Sequence, residues 1–146
     1  MGAILGLKGK TYRNTGTYET PVWTEMKNIK DLSLKMEKGE ADATTRGNNG
    51  WEAVISSLKK GSLEWAMVYD TDDTDFTALH TAWFADTPIE FAVMDGDIAT
   101  SGSQGLRASM EVFGFGREEQ LTEAMEVPIT AKPTYSEHPP AWYTVS

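Results

Sequence analysis

A chain of 146 residues suffices for one domain with a proper core, burying roughly 70% of its unfolded surface. Its 13 basic and 22 acidic residues leave a net charge of −9, which argues against tight wrapping of nucleic acid, because that needs Lys and Arg to neutralise phosphates. The absence of cysteine excludes thiol chemistry, a Cys-based metal site and any need for an oxidising compartment.

With 40% hydrophobic and 24% charged residues, the composition is that of an ordinary globular domain. The longest unbroken apolar run is Trp65 to Tyr69, far short of the ~20 residues a membrane helix needs. The opening MGAILGLKGK has neither the apolar length nor the small-residue cleavage site of a secretory signal. Gly2 lacks the Ser or Thr that a myristoylation signal requires. No membrane association is expected.

Residues 1–27 read as a lead-in rich in Gly, Thr and Tyr, interrupted by Pro21. Gly9-Lys10-Thr11 mimics the end of a phosphate-binding loop, but Ile4 stands where its first glycine belongs and no helix pattern follows. From Ile29 the chain alternates: Leu32, Leu34 and Met36 take one side, Asp31, Ser33 and Lys35 the other. That is a half-buried strand. Residues 37–52 then lose both the strand and the helix period, and sixteen residues exceed the usual connection of about 2–5. This stretch carries Glu37, Lys38, Glu40, Asp42, Arg46 and Glu52, and it includes Trp51, a side chain of the kind enriched at interfaces. It is expected to be an arm that reaches another copy of the chain. Residues 53–58 read as a short strand, Lys59-Lys60-Gly61 as a turn, and Leu63, Trp65, Met67 and Tyr69 as one face of a further strand.

The acidic stretch at 70–75 fails as a calcium loop, with Thr74 at the third ligand position and no glycine at the sixth. It reads better as the N-terminal cap of a helix over residues 73–86, where carboxylates oppose the helix dipole. Phe76, Leu79, His80, Trp83 and Phe84 form its apolar stripe, and Asp86-Thr87-Pro88 ends it. His80 is expected to be a packed, hydrogen-bonded histidine. A strand over 89–94 leads to a hairpin turn at Asp95-Gly96-Asp97, followed by a polar stretch over 98–105. Leu106, Ala108, Met110 and Val112 share one face of the next strand, and Met125, Val127, Ile129 and Ala131 one face of another. The proline-bearing tail 133–146 suits an edge or extended segment, with pairing from about Trp142. The whole is expected to be a single domain, 1–146.

Catalytic chemistry finds little support. His80 and His138 are the only histidines, HExxH spacing is absent, and no GxSxG elbow lies between a strand and a helix. No catalytic, metal-binding or cofactor-binding residue is assigned, and no enzymatic activity is expected.

Several runs in order resemble the major tail tube proteins of long-tailed bacteriophages. They are Tyr12-Arg13-Asn14-Thr15-Gly16-Thr17-Tyr18, Pro21-Val22-Trp23, Asn28-Ile29-Lys30-Asp31-Leu32, and the stretch from Glu37 to Trp51. The single helix, Asp95-Gly96, Gly105-Leu106-Arg107-Ala108 and Lys132-Pro133-Thr134-Tyr135-Ser136 extend the likeness over nearly the whole chain. The resemblance implies a mainly β fold of two packed antiparallel sheets, a β-sandwich or barrel, flanked by one α-helix. It implies hexameric rings whose inner strands join into a barrel around a channel, and rings that stack into the tail tube, the conduit for genome delivery. Implied partners are further copies, the tape-measure protein in the lumen, tail terminator and baseplate or distal tail proteins, and DNA in transit without specific binding. The implied location is the virion tail, assembled in the host cytoplasm. With no extra surface domain after residue 146, a minimal tube subunit is expected.

In that frame the arm residues expected between subunits are Lys38, Glu40, Asp42, Arg46, Asn48 and Trp51, and the candidate channel-facing residues are Asp31, Ser33, Lys35 and Glu64. An acidic wall would let DNA slide, because attraction would grip the phosphates. The alternative is a monomeric β-sandwich that binds carbohydrate on Trp23, Trp51 and Trp142.

Overall fold

The computed structural model describes residues 2–146. Eight strands and one helix follow in the order β1 (Lys10–Asn14), β2 (Trp23–Glu25), β3 (Ile29–Asp42), β4 (Val54–Val68), α1 (Thr74–Ala85), β5 (Ile89–Met94), β6 (Gln104–Phe115), β7 (Glu126–Pro133) and β8 (Ala141–Thr144). All pairings are antiparallel, in the order β2-β1-β5-β6-β7-β4-β3. β8 lies off this path, beside the first half of β6. β6 thus pairs with β8 through Gln104–Arg107 and with β7 from Met110 onward, and β5 lines its other edge.

The mainly β fold with one helix is as expected, and the two packed antiparallel sheets that the resemblance implies are joined as one continuous ladder, folded over on itself. Trp65 on β4 and Phe91 on β5 make the fold-over visible. Three ladder steps separate their strands, about 14 Å on a flat sheet, yet their rings meet edge to face with centroids 5.6 Å apart. The alternation expected in β3, β4, β6 and β7 supplies this enclosed face, with Leu63, Met67, Met110, Val127 and Ile129 almost fully buried. Each such side chain contributes about 1.5–3 kcal/mol relative to exposure. A second, smaller cluster of Tyr12, Ala92 and Met94 covers the other face of β1 and β5, with Trp23, Ile98, Tyr143 and Val145 packed against it. Where β5 passes β6 the backbones come so close that a Cβ on Gly105 would collide with the Val93 carbonyl.

The helix forms where expected. Asp73 caps it, its Oδ1 accepting from the Asp75 amide at 3.1 Å, and Asp86 closes it in the left-handed region at φ 56°. Its buried face is Asp75, Phe76, Leu79 and Ala82, so the expected stripe holds only for Phe76 and Leu79. His80, Trp83 and Phe84 are exposed, and the His80 side chain makes no hydrogen bond among the described residues. The buried face includes Asp75, which accepts from Arg13 Nε and Nη2 on β1, so an ion pair ties the first turn of the helix to the sheet.

The lead-in contributes β1 and β2, and the stretch between them, which holds Pro21, is a loop that Asn14 organises. Its Oδ1 accepts from the amides of Gly16 at 2.8 Å and Val22 at 3.0 Å. Asp95-Gly96-Asp97 begins a longer loop instead of a tight hairpin, since β6 resumes only at Gln104, whose carbonyl accepts from the Asp95 amide. The cause lies in the small core: Ile98 packs there and its amide donates to the buried Tyr12 hydroxyl at 3.1 Å.

Candidate assembly surface

β3 and β4 stay paired from Ile29↔Met67 to Asp42↔Val54, whereas β7 pairs with β4 only between Leu63 and Val68. Beyond Ser62 the two strands therefore leave the sheet as a bare ribbon about 25 Å long, at ~3.3 Å per residue. The arm expected over residues 37–52 is thus strand over its first six residues, Glu37 to Asp42, and Lys59-Lys60-Gly61 is no turn, because β4 runs straight through it. A two-stranded ribbon is wet on both faces, so its sequence has no apolar period to display.

Elementary pairing energetics give this ribbon little stability of its own. Glu37 opposite Lys60 is a favourable pair, while Lys38 opposite Lys59 sets two like charges side by side. The register shifts between Lys38 and Glu40, where Gly39 meets Ser57 so closely that a Cβ there would strike its hydroxyl. The tip, by contrast, is internally tied. The Ala43 amide donates to the Ala53 carbonyl, and Thr44 Oγ1 accepts from the Ala53 amide, both at 2.9 Å. Thr44, through its side chain and then its amide, holds the Asp42 carboxyl below the usual carboxylate range. A single 3-10 turn, Arg46–Asn48, and left-handed Asn49 and Gly50 then present Trp51, which is 79% exposed. Leu58 is 77% exposed, and Met36 and Ile55 also face solvent. Of the six residues expected on the arm, Lys38, Glu40 and Asp42 lie along the ribbon, while Arg46, Asn48 and Trp51 lie at its tip.

The candidate channel residues come together on one face. Ser33 is directly opposite Glu64 and Lys35 opposite Ser62, on the side away from Leu34, Leu63 and Trp65. Asp31 is exposed at the register shift between Ile29 and Leu32. β3 also forms one end of the ladder with its outer edge unpaired among the described residues, and three-residue β2 forms the other. Fourteen residues of open edge on β3 is the feature that soluble monomers normally avoid.

The Trp residues of the carbohydrate alternative do not converge. Trp51 sits at the ribbon tip, Trp23 lies half-buried beneath Arg107, and Trp142 is on β8 with its Nε1 donating to Gln104 Oε1. Among the described residues no group of three or more His, Asp or Glu stands close enough to hold a metal ion.

Sequence reasoning missed the cluster that fixes the sheet's other end. Arg107 binds the Glu90 carboxylate through Nε at 2.9 Å and Nη2 at 3.1 Å, donates to the Tyr18 carbonyl, and lies 3.8 Å over the Tyr18 ring. Tyr18 in turn stacks on His138, with centroids 3.6 Å apart. The available signal was an arginine set between Leu106 and Ala108 in an apolar strand.

No known family profile matches the chain, and no curated protein matches it in sequence. Solved structures do match. The chain is similar to one in the tail of an empty gene transfer agent particle with C6 symmetry, at 14% identity and a TM-score of 0.74 over 99% of this chain and 100% of that one. A chain of the native gene transfer agent virion gives 12% identity and a TM-score of 0.70, covering 97% and 100%. The SPP1 tail tube gives 12% identity and 0.74, covering 97% of this chain and 80% of that one. At such identities the likeness is one of fold, and the fold is that of chains from phage and gene transfer agent tails.

Proposed function

We propose that this chain is the structural subunit of a phage-type tail tube, assembling as stacked six-membered rings around a channel through which a genome is delivered. The observation that carries the reading is the bare β3–β4 ribbon with its exposed Trp51 and Leu58, on a chain that over nearly its whole length adopts the fold found in tails. A ribbon of marginal stability and an open edge of fourteen residues both gain by pairing with neighbouring copies. Closing the edges of successive subunits into one barrel removes them altogether. The face bearing Asp31, Ser33, Lys35 and Glu64 then lines the lumen, a wetted and mixed-charge wall that offers no continuous grip on phosphate. Lumen contents of this class are a tape-measure protein before infection and DNA during it, and the ends of the tube meet terminator and baseplate proteins. Assembly takes place in the host cytoplasm.

Sedimentation velocity over a concentration series, paired with negative-stain images, tests the reading. Rings or tubes that grow with concentration are expected. A single monomeric species at every concentration would overturn it.

A further inference from the structure

The ribbon's apolar side chains need a cover that their own molecule cannot provide. Phe113 sits at the β6 register shift beside Thr130, which pairs with Glu64. Trp83 is anchored there, its Nε1 donating to the Phe113 carbonyl at 3.0 Å. Leu58 lies six residues further along β4, about 20 Å away, and Val54 about 33 Å, at ~3.3 Å per residue. Around Trp83 the outward face of α1 carries an aromatic patch. Trp83 and Phe84 have centroids 4.9 Å apart, His80 and Phe84 4.8 Å, and His80 and Phe115 5.6 Å. Phe84 is 66% exposed. One chain thus displays two uncovered apolar surfaces that are too far apart to cover each other.

Charge points the same way. Residues 35–62 contain five basic and four acidic side chains, while the rest of the chain contains eight and eighteen. A slightly positive ribbon projects from a body of net −10, which favours its landing on another body over another ribbon. Lys59 and Lys60, next to Leu58, form no ion pair among the described residues, and Asp86 follows Phe84 by two residues at the exposed end of the helix.

Resting on the tube reading, we infer that the ribbon of one copy docks through Leu58 and its neighbours onto the His80–Trp83–Phe84 patch of the next. The contact joins two different surfaces, so it repeats from copy to copy instead of closing a two-fold pair.

The chain contains no cysteine, so single cysteines report contacts cleanly. Leu58→Cys and Phe84→Cys chains are assembled separately and as a mixture, then treated with a short bismaleimide. The expected result is a two-chain product from the mixture and none from either variant alone. Tubes of the mixture that yield only single chains would overturn the docking while leaving the tube reading intact. A product from one variant alone would replace it with a like-to-like contact. Lys59→Cys serves as a second ribbon position if Leu58→Cys does not assemble, and it is held to the same outcomes. Wild-type chains that form no tubes at all would remove the tube reading itself, a result seen before any cross-linker is added.

Discussion

Arg13 on β1 and Asp75 in the first turn of α1 form a pair that fastens helix to sheet. Arg13 Nε and Nη2 both donate to Asp75 Oδ1, at 3.1 and 2.9 Å, and Asp75 is only 5% exposed. Breaking such a pair from one side leaves a buried charge without its partner. Arg13→Ala is expected to cost roughly 3–5 kcal/mol in urea unfolding at neutral pH. A loss below about 1 kcal/mol, the scale of an exposed ion pair, would show that the fastening is unimportant. Replacing both residues with apolar ones of similar size is expected to cost much less.

Asp75 also makes stability depend on pH. Burial is the larger influence and raises its carboxyl above the ordinary carboxylate range, against the lowering pull of Arg13. The folded chain therefore holds this proton more tightly than the unfolded chain. The resulting stability is present below the ordinary value of about 3.9 and is lost as pH rises through the raised one. With Arg13 removed the lone carboxylate is worse placed still, so Arg13→Ala is expected to cost less at about pH 4 than at about pH 7. Equal costs at the two pH values in denaturant titrations would refute this.

At the tip of the ribbon, Trp51 is 79% exposed and has little packing in its own chain to lose. Trp51→Ala is expected to leave the unfolding midpoint of the subunit within about 0.5 kcal/mol of wild type. If Trp51 anchors a contact between copies, its truncation costs about 2 kcal/mol or more and raises the concentration needed for assembly about 30-fold. Light scattering across a dilution series reads that threshold. Deleting residues 38–49 is expected to abolish assembly with the body still folded.

Gly105 supplies a test of the fold alone. Because a Cβ there meets the Val93 carbonyl, Gly105→Ala forces β5 and β6 apart and is expected to destabilise by about 1–3 kcal/mol. Gly2→Ala, which meets nothing within 4 Å, is the control expected to be neutral.

These residues also mark how far the sequence could be read. Leu106, Ala108, Met110 and Val112 alternate because β6 buries one face, and Val127, Ile129 and Ala131 do so for the same reason, so both strands were legible. The ribbon was not, since solvent on both faces removes the pattern that marks a strand, and Lys59-Lys60-Gly61 looked like a turn. His80 was misplaced because a 3.6-residue period admits two neighbouring stripes, and the buried one carries Asp75, whose partner Arg13 is sixty-two positions away. Long-range pairs of this kind, like Arg107 with Glu90 and Tyr18, leave at most a charge in an apolar strand, which does not name the partners. Of the candidate surface, Ser33, Lys35 and Glu64 were readable as one polar face, but the unpaired edge of β3 beside them was not.

A cryo-electron microscopy map of the assembled wild-type chain bears most directly on the proposal that neighbouring copies complete this sheet. The expected map is a hollow tube of six-fold rings in which β3 pairs with a strand of the adjacent copy and Ser33, Lys35 and Glu64 face the channel. A map of isolated subunits, or of a tube whose β3 edge and ribbon touch no neighbour, would contradict it.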